Sequence, residues 1–555
     1  MNLIPSINGP VRTMPGYCTL PRSMTYEGPC AEAAVKLFVN RARRLPGMVR
    51  LSVQKAEEGF LAFRTASSLP EEAYRLLIAG DGITCEASSQ AGFSLALVTL
   101  YQLLAEEGPD LPCLYLEDSP RYPWRGFMLD VCRHFFSVDE VKKLLEQAAL
   151  LKLNRFHWHL SDDQGYRIES KRFPRLNEIS SWRAQTLGDG TPHGGYYTQE
   201  EIADVVALAA QRGIEIIPEI DLPGHTTAIL AAYTELSCTG EPLAVAEHFG
   251  ILERILCAGK EAVYAFLDEL LEEVCGLFPS RYFHIGGDEA PKGEWEKCPD
   301  CRRALAAKGL ADCEALQAYF TGRLVRLLKR HGKTAVAWNE ALASGQLDGS
   351  VMAQYWVEWG PSYSMAEAER GRRFILSNLP NFYLDYPCAM IPLASQLAFT
   401  PNIQGQPLPD DAQVLGLEAP LWTEWLSTAP DMERMLFPRL LAVAERAWQS
   451  RPDPDAFLAA CGGYLRYLDR AGIHHASMEE ATVHGQEGIR QIVDHFLFMS
   501  RSFAAEGGLI SAAPEGLEQM KPRVRGFLAQ FMASSYTDEE IDGAVDLFIA
   551  RLLEK

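Results

Sequence analysis

Eight short apolar runs, each ending in polar residues and separated by amphipathic stretches, constrain the fold of this chain more than any other feature. They are Gly126–Val131, Arg155–Leu160, Ile214–Ile220, Tyr282–Ile285, Thr334–Trp338, Val351–Trp356, Phe374–Asn378 and Val414–Ala419. Apolar runs of this length read as strands buried on both faces, and strands joined through helices lie parallel by right-handed crossovers. The intervening helices have legible starts: Ser137 followed by Glu140 and Thr198 followed by Glu201 are capping boxes, and Gly213 closes the second helix. Eight such repeats predict an α/β fold of the (β/α)8 TIM-barrel type, closed by a helix from Asp431 to Trp448.

The flanks differ in texture. Residues up to about Asp118 combine short alternating runs (Val49 to Val53, Gly82 to Ala87) with a helix over Gln90 to Glu107, which predicts a small N-terminal α/β domain. A Pro-rich aromatic hinge, Asp118 to Gly126, leads into the barrel. Beyond Asp453 the segments are helical, as in Asp455 to Ala471 and Gly488 to Arg501. The expected division is 1–118, 119–450 and a helical C-terminal extension over 451–555, in line with the roughly two to four units expected for 555 residues. Packing and oligomerisation are equally open as roles for the extension, and the oligomeric state is not legible.

Composition narrows the partners. With 47% hydrophobic and 23% charged residues the chain can build a large core. A formal net charge of -21 repels nucleic acid and anionic membrane alike, whereas a neutral substrate is indifferent to it. The N-terminus lacks a basic start and an apolar h-region, and no apolar run approaches membrane-spanning length, so a cytoplasmic protein is expected. Thirteen scattered cysteines read as reduced thiols rather than a disulfide framework.

Barrel chemistry sits at the C-terminal ends of the strands, so polar residues there can be read together. The fourth run ends in HIGGDE, His284 to Glu289. Neighbouring strand residues face opposite ways, so Asp288 and Glu289 serve one ligand only if the backbone bends, which Gly286 and Gly287 permit. Taken alone, the pair reads more readily as a solvated acid beside a helix cap. Other strands add Asp130, Arg133, His157, His159, Asp162, Asp163, Glu219, Asp221, His225, Trp338, Asn339, Glu340, Trp356, Glu358, Trp422 and Glu424, with Tyr383 and Asp385 after strand seven.

Acids, one Arg and several indoles at one mouth suit a neutral sugar, since aromatic faces cover its C–H surface while carboxylates and Arg bind hydroxyls. Core packing remains open for Trp338 and Trp356, and a structural ion pair for Arg133. The histidines could instead assemble a metal-dependent barrel hydrolase. Cys298-x-x-Cys301 poses a separate zinc question, with no second Cys-x-x-Cys after it and Cys313 standing alone nearby.

These residues resemble glycoside hydrolase family 20, the β-N-acetylhexosaminidases. The resemblance rests on RGFMLDVCRHF (Arg125 to Phe135), NRFHWHLSDDQGYRIE (Asn154 to Glu169), EIDLPGH (Glu219 to His225), HIGGDE, AWNE (Ala337 to Glu340), QYW (Gln354 to Trp356), YLDY (Tyr383 to Tyr386) and LWTE (Leu421 to Glu424), in family order. The segment Glu71 to Leu104 is similar to the family's smaller N-terminal domain.

The resemblance implies a retaining mechanism in which the substrate's 2-acetamido oxygen is the nucleophile, an exception to the two-carboxylate scheme. It implies that Glu289 is the acid/base, that Asp288 orients the acetamido N–H and stabilises an oxazolinium intermediate, and that Tyr383 binds the acetamido carbonyl. Asp162 and His225 match a relay behind the catalytic acid. Arg133, Asp385 and Glu424 match groups holding the sugar hydroxyls, and Trp338, Trp356 and Trp422 match indoles walling the acetamido pocket. Asn339 departs from the family's frequent Asp and gets no charge role. The implied substrate is a small oligosaccharide or glycan ending in N-acetylglucosamine or N-acetylgalactosamine, without cofactor or metal. A non-catalytic sugar-binding protein is the rival of another class.

Overall fold

The computed structural model describes residues 2–358, 360–504, 514–532 and 536–553. All eight expected strands form: Trp124–Asp130, Arg155–His159, Glu215–Glu219, Tyr282–His284, Thr334–Trp338, Met352–Tyr355, Phe374–Leu376 and Val414–Leu421. They close into one parallel barrel, the eighth strand pairing with the first from Gly416 opposite Trp124 to Leu421 opposite Leu129. Both capping boxes are present, Ser137 with Glu140 and Thr198 with Glu201.

The closing helix departs from expectation. It is two helices, Ala429–Leu436 and Arg439–Trp448, with an extended Phe437 between them. Pro438 explains the break, because it offers no amide N–H to the ladder and drives the residue before it away from helical backbone.

Side chains two residues apart on a strand share a face, so the barrel interior fills in layers. Trp124, Ile217, Tyr282, Val336, Met352 and Ile375 form an apolar plug. Two residues further along the same strands come Glu219, His284, Trp338 and Gln354, which meet His157 and Glu418 in a buried polar layer. The polar strand-end residues singled out from the sequence, Asp288 and Glu289 among them, follow that layer toward the barrel mouth.

The N-terminal unit is a seven-stranded sheet covered by helices Glu32–Ala42 and Gln90–Glu107. The strand expected at Val49 to Val53 lies at Ser52–Lys55, parallel to Ser23–Tyr26, and Val49 is 74% exposed. Asp118 joins this unit to the barrel. Its carboxylate accepts the Trp448 indole N–H at 2.8 Å, the Lys152 ammonium at 2.9 Å and the Tyr74 hydroxyl. Arg125 adds two bonds to Glu72, at 2.7 and 2.8 Å, and lies over the Trp448 ring.

After the barrel come helices Pro454–Ala471, Gly485–Ala504, Pro514–Met532 and Asp538–Leu553, with a short turn of helix at Met478–Ala481. Residues 505–513, 533–535 and 554–555 of the expected C-terminal extension lie outside the described residues. Ile492, Val493, Phe531 and Ala544 pack against Leu379, Met390 and Ile391, which follow the seventh strand. The extension therefore packs on the mouth of its own barrel.

Lys152 and Asp118 are both almost fully buried, so removing one strands the other's charge. Asp118→Ala is expected to cost about 3–5 kcal/mol, read as a lower midpoint in chemical denaturation. The double variant Asp118→Leu/Lys152→Met is expected to recover most of that loss, because an apolar pair removes the unpaired charge.

Candidate active site

The fourth strand ends at His284, and the chain then turns through Gly286 and Gly287, whose φ values are +62° and +100°. A Cβ at Gly286 would lie 1.7 Å from Asp221 Oδ1, so the position has neither the backbone nor the space for a side chain. Asp221 Oδ1 accepts the Gly287 N–H at 3.0 Å, and Gln317 donates to the Gly287 carbonyl at 2.8 Å. The turn is thus pinned on both sides. Asp288 and Glu289 both line the same cleft of about 520 Å³, within the usual range for small-molecule sites.

Glu289 has a left-handed backbone, φ +42°, although it is not glycine. Such a conformation costs on the order of 1–3 kcal/mol and persists only where the surroundings hold it. Here the Glu289 N–H donates to the Glu340 carboxylate at 2.7 Å. His225 is likewise left-handed, φ +51°, and its Nε2 lies 3.6 Å from Glu289 Oε2. Its Nδ1 faces Asp163 at 3.2 Å and Asp162 at 3.4 Å. Burial opposes a charge on His225, but Asp162, Asp163 and Glu289 hold its pKa well above the ordinary imidazole value. Asp162 is buried too, yet Arg133 and His225 keep it far below the usual carboxylate range.

Arg133 reaches Asp162 at 2.9 Å and Glu424 at 3.7 Å, and sits over the Trp422 ring at 4.8 Å. Trp356 stacks on Tyr383 with ring centres 5.8 Å apart. Asp288 Oδ1, Asp385 Oδ1 and the Trp356 indole nitrogen are buried without a protein partner. Buried polar atoms in native proteins are almost always satisfied, so three orphans in residues lining one cleft mark where a ligand's polar groups belong. Burial and then the Asp221 charge push Asp288 well above the ordinary carboxylate pKa. Burial also lifts Asp221 and, with the Glu289 charge, Glu340, each to about 7. Tyr383 is raised by burial and by Asp288.

Ten of the eleven expected site residues line this cleft: Asp162, His225, Asp288, Glu289 and Tyr383, then Arg133, Trp356, Asp385, Trp422 and Glu424. Trp338 does not. It is 1% exposed and lies in the layer beneath, its indole N–H donating to Glu219 at 3.0 Å and its ring 5.9 Å from Trp422. It supports the floor rather than forming the wall, the core reading left open from the sequence. Asn339 spends its side-chain amide on backbone, donating to the Val357 carbonyl and accepting the Trp356 N–H.

Several residues at the cleft have no role assigned from the sequence. Glu340 and Asp221 stood at strand ends without assignment, and their partners are backbone amides that no residue pattern specifies. His495 and Met499, from the C-terminal helix Gly485–Ala504, complete the cleft rim beside Tyr386 and Trp425. Nothing in their local sequence points there.

The strand-end histidines face carboxylates. Glu219 lies 2.9 Å from His157 Nε2 and 2.8 Å from His284 Nδ1, and it hydrogen-bonds His159 Nδ1. His157 Nδ1 is 2.8 Å from Glu418, and His159 Nε2 is 2.9 Å from Asp162.

The family description "Glycosyl hydrolase family 20, catalytic domain" matches residues 122–451, and "Glycosyl hydrolase family 20, domain 2" matches residues 2–119. The chain belongs to glycoside hydrolase family 20. It is a glycoside hydrolase of the β-hexosaminidase kind. Among curated relatives, a β-hexosaminidase of Porphyromonas gingivalis is 38% identical over 433 residues, 74% of this chain and 54% of its own length. The present chain thus spans about half of that relative. A β-N-acetylhexosaminidase of Cellulomonas fimi is 32% identical over 84% of this chain and 97% of its own. Among solved structures, a β-N-acetylhexosaminidase of Bacteroides fragilis superposes with a TM-score of 0.77 at 31% identity, covering 87% of this chain and 98% of its own.

The polar layer under this family 20 site generates a pH dependence. Burial disfavours a charge on His157, but Glu219 and Glu418 outweigh it and hold the imidazole at about 9, against about 6.5 when unfolded. Folding therefore takes up a proton. The resulting stabilisation, on the order of 3 kcal/mol, is complete below about pH 6.5 and is lost as pH rises through about 9. The thermal midpoint is expected to fall across that window, and His157→Gln to lower it at pH 6 while flattening the slope.

Proposed function

We propose that this chain is an exo-acting, retaining β-N-acetylhexosaminidase that releases terminal non-reducing N-acetylglucosamine or N-acetylgalactosamine through an oxazolinium intermediate. The observation that carries the reading is the pairing of two adjacent acids with different surroundings. Asp288 is buried with a free oxygen on the cleft wall beside Tyr383, while Glu289 is backed by His225 and Asp162. A standard retaining enzyme needs its two carboxyls on opposite sides of the bond. Adjacent acids suit a reaction whose nucleophile comes with the substrate.

In this mechanism Glu289 gives its proton to the departing glycosidic oxygen as the acetamido carbonyl oxygen bonds to C1. Asp288 accepts the acetamido N–H, and the positive charge that develops on the ring draws Asp288 into its ionised form despite its burial. Tyr383 donates to the acetamido oxygen. Glu289, now a carboxylate, takes a proton from the water that attacks C1, and the acetamido group is regenerated. Arg133, Asp385 and Glu424 bind the outer hydroxyls, Trp356 and Trp422 wall the sugar, and Trp338 holds the floor from below. His225 and Asp162 orient Glu289.

A Streptomyces plicatus β-hexosaminidase variant bound to its product GlcNAc, 32% identical with a TM-score of 0.75, supports the sugar assigned here. A reducing, cytoplasmic compartment is our reading of the thirteen unpaired thiols. Among the described residues no helix is long and apolar enough to cross a membrane. The same reading divides the chain into units over 1–118, 119–450 and 451–555.

NMR of a β-linked aryl N-acetylglucosaminide digest is expected to give the β-anomer first; an α-anomer would overturn the mechanism. Asp288→Ala and Glu289→Gln are each expected to lower kcat about 10²–10⁴-fold, and Asp288→Ala alone to weaken a thiazoline analogue of the intermediate. The rim residues should act beyond the cleaved bond. His495→Ala/Met499→Ala is expected to raise KM severalfold for oligosaccharides while leaving kcat on a small aryl glycoside within about twofold.

A further inference from the structure

Four cysteines converge away from the catalytic cleft. Cys238 and Cys257 bracket the long loop after the third barrel strand, and Cys298 and Cys301 open the helix Pro299–Lys308 after the fourth. All are free thiols. Their sulfurs lie within 4.8 Å of one another, with Cys257 to Cys301 at 3.6 Å, Cys257 to Cys298 at 3.7 Å and Cys238 to Cys301 at 3.9 Å. A zinc ion with four Zn–S bonds of about 2.3 Å is tetrahedral, which sets its sulfurs about 3.8 Å apart. These three separations scatter around that edge. We propose that Cys238, Cys257, Cys298 and Cys301 form a structural zinc site.

The surroundings fit this assignment. Cys257 and Cys301 are 0% exposed, Cys298 is 4% exposed and Cys238 is half-buried, so three of the four sulfurs lie inside the protein, and four thiolates fill the coordination sphere of a structural rather than a catalytic zinc. Cys298 occupies the N-cap position without making a cap hydrogen bond, and Cys301 lies in the first turn, where the helix dipole favours thiolates. The two segments meet at backbone distance: a Cβ on Gly259 would sit 2.2 Å from the Asp300 carbonyl carbon. A bridge between Ser237 and Leu256 and the Trp295 indole bond to the Leu256 carbonyl, at 2.9 Å, close the base of the loop beside the sulfurs. Downstream of Cys301 no second Cys-x-x-Cys exists, because the other two ligands lie upstream and far apart.

The site has a use. Residues 239–255 have no helix or strand of their own, yet Phe249, Gly250 and Ile251 from this loop form part of the cleft wall. A loop of this length needs an anchor to hold one shape. Zinc would tie it to the segment that follows Glu289, so the ion positions the wall without touching substrate. Binding converts four thiols and Zn2+ into a tetrathiolate centre of charge -2 and releases four protons.

The test is elemental analysis of the wild-type protein, grown with zinc and purified without chelator. About one zinc per chain is expected, released when an organomercurial titrates the thiols. Cys257→Ser is expected to lose that zinc, while Cys388→Ala, remote from the four sulfurs, keeps it. Should Cys257→Ser not fold, Cys238→Ser on the more exposed edge is expected to surrender zinc to a chelator at least about tenfold faster than wild type. Wild-type protein without zinc, with these cysteines alkylated under native conditions or joined as disulfides, overturns the proposal. One iron per chain in place of zinc overturns the choice of ion.

Discussion

One buried carboxylate organises the interior of this barrel. Glu219 is fully enclosed and sits against three imidazoles, His157, His159 and His284, and the Trp338 indole N–H. A carboxylate in so dry a place is tolerable only with opposite charge and donors around it. Those partners come from the second, fourth and fifth strands, so satisfying one side chain fixes the relative height of half the barrel. From Glu219 the pairing runs down through His157 to Glu418 and up through His159 to Asp162. Asp162 then meets Arg133 and His225, the first two groups of the cleft. The acids and imidazole of the cleft are the upper end of a charge network rooted in the core.

That root explains how the mouth can hold unfavourable features. Glu289 and His225 both keep left-handed backbones, and Asp288, Asp221 and Glu340 all have raised pKa values within one cleft. Each alone would relax by a loop shift. The Gly287 amide on Asp221, the Glu289 amide on Glu340 and the C-terminal helices packed over Leu379 and Met390 oppose that shift. Strain at Glu289 and raised proton affinity at Asp288 stand where the proposed reaction places its acid and its cation-stabilising carboxylate.

Much of this was legible in the residues. Eight apolar runs placed all eight strands, because a strand buried on both faces must be continuously apolar. Ser137 with Glu140 and Thr198 with Glu201 announced their helices, since capping is a local bond. Ten cleft residues could be named because barrel chemistry gathers at strand ends. Three things were not legible. The break before Pro438 falls inside a run whose amphipathic pattern continues on both sides of it. Trp338 looked like a wall indole, yet an alternate inward position on a short strand can end at the floor or at the rim. The second pair of cysteines at 238 and 257 has no short-range spacing to announce it.

The sequence by itself determined the barrel, its N-terminal sheet and the acids that share one mouth, because periodicity, caps and glycine turns act over a few residues. Only the tertiary structure decided which acid stands against which partner. Asp288 is left with an unpaired oxygen, Glu289 is backed by His225, and His495 reaches the rim from about two hundred residues away in the chain. Such assignments depend on desolvation and charge at distances of a few ångströms between segments far apart in sequence, and those quantities exist only once the chain has closed on itself.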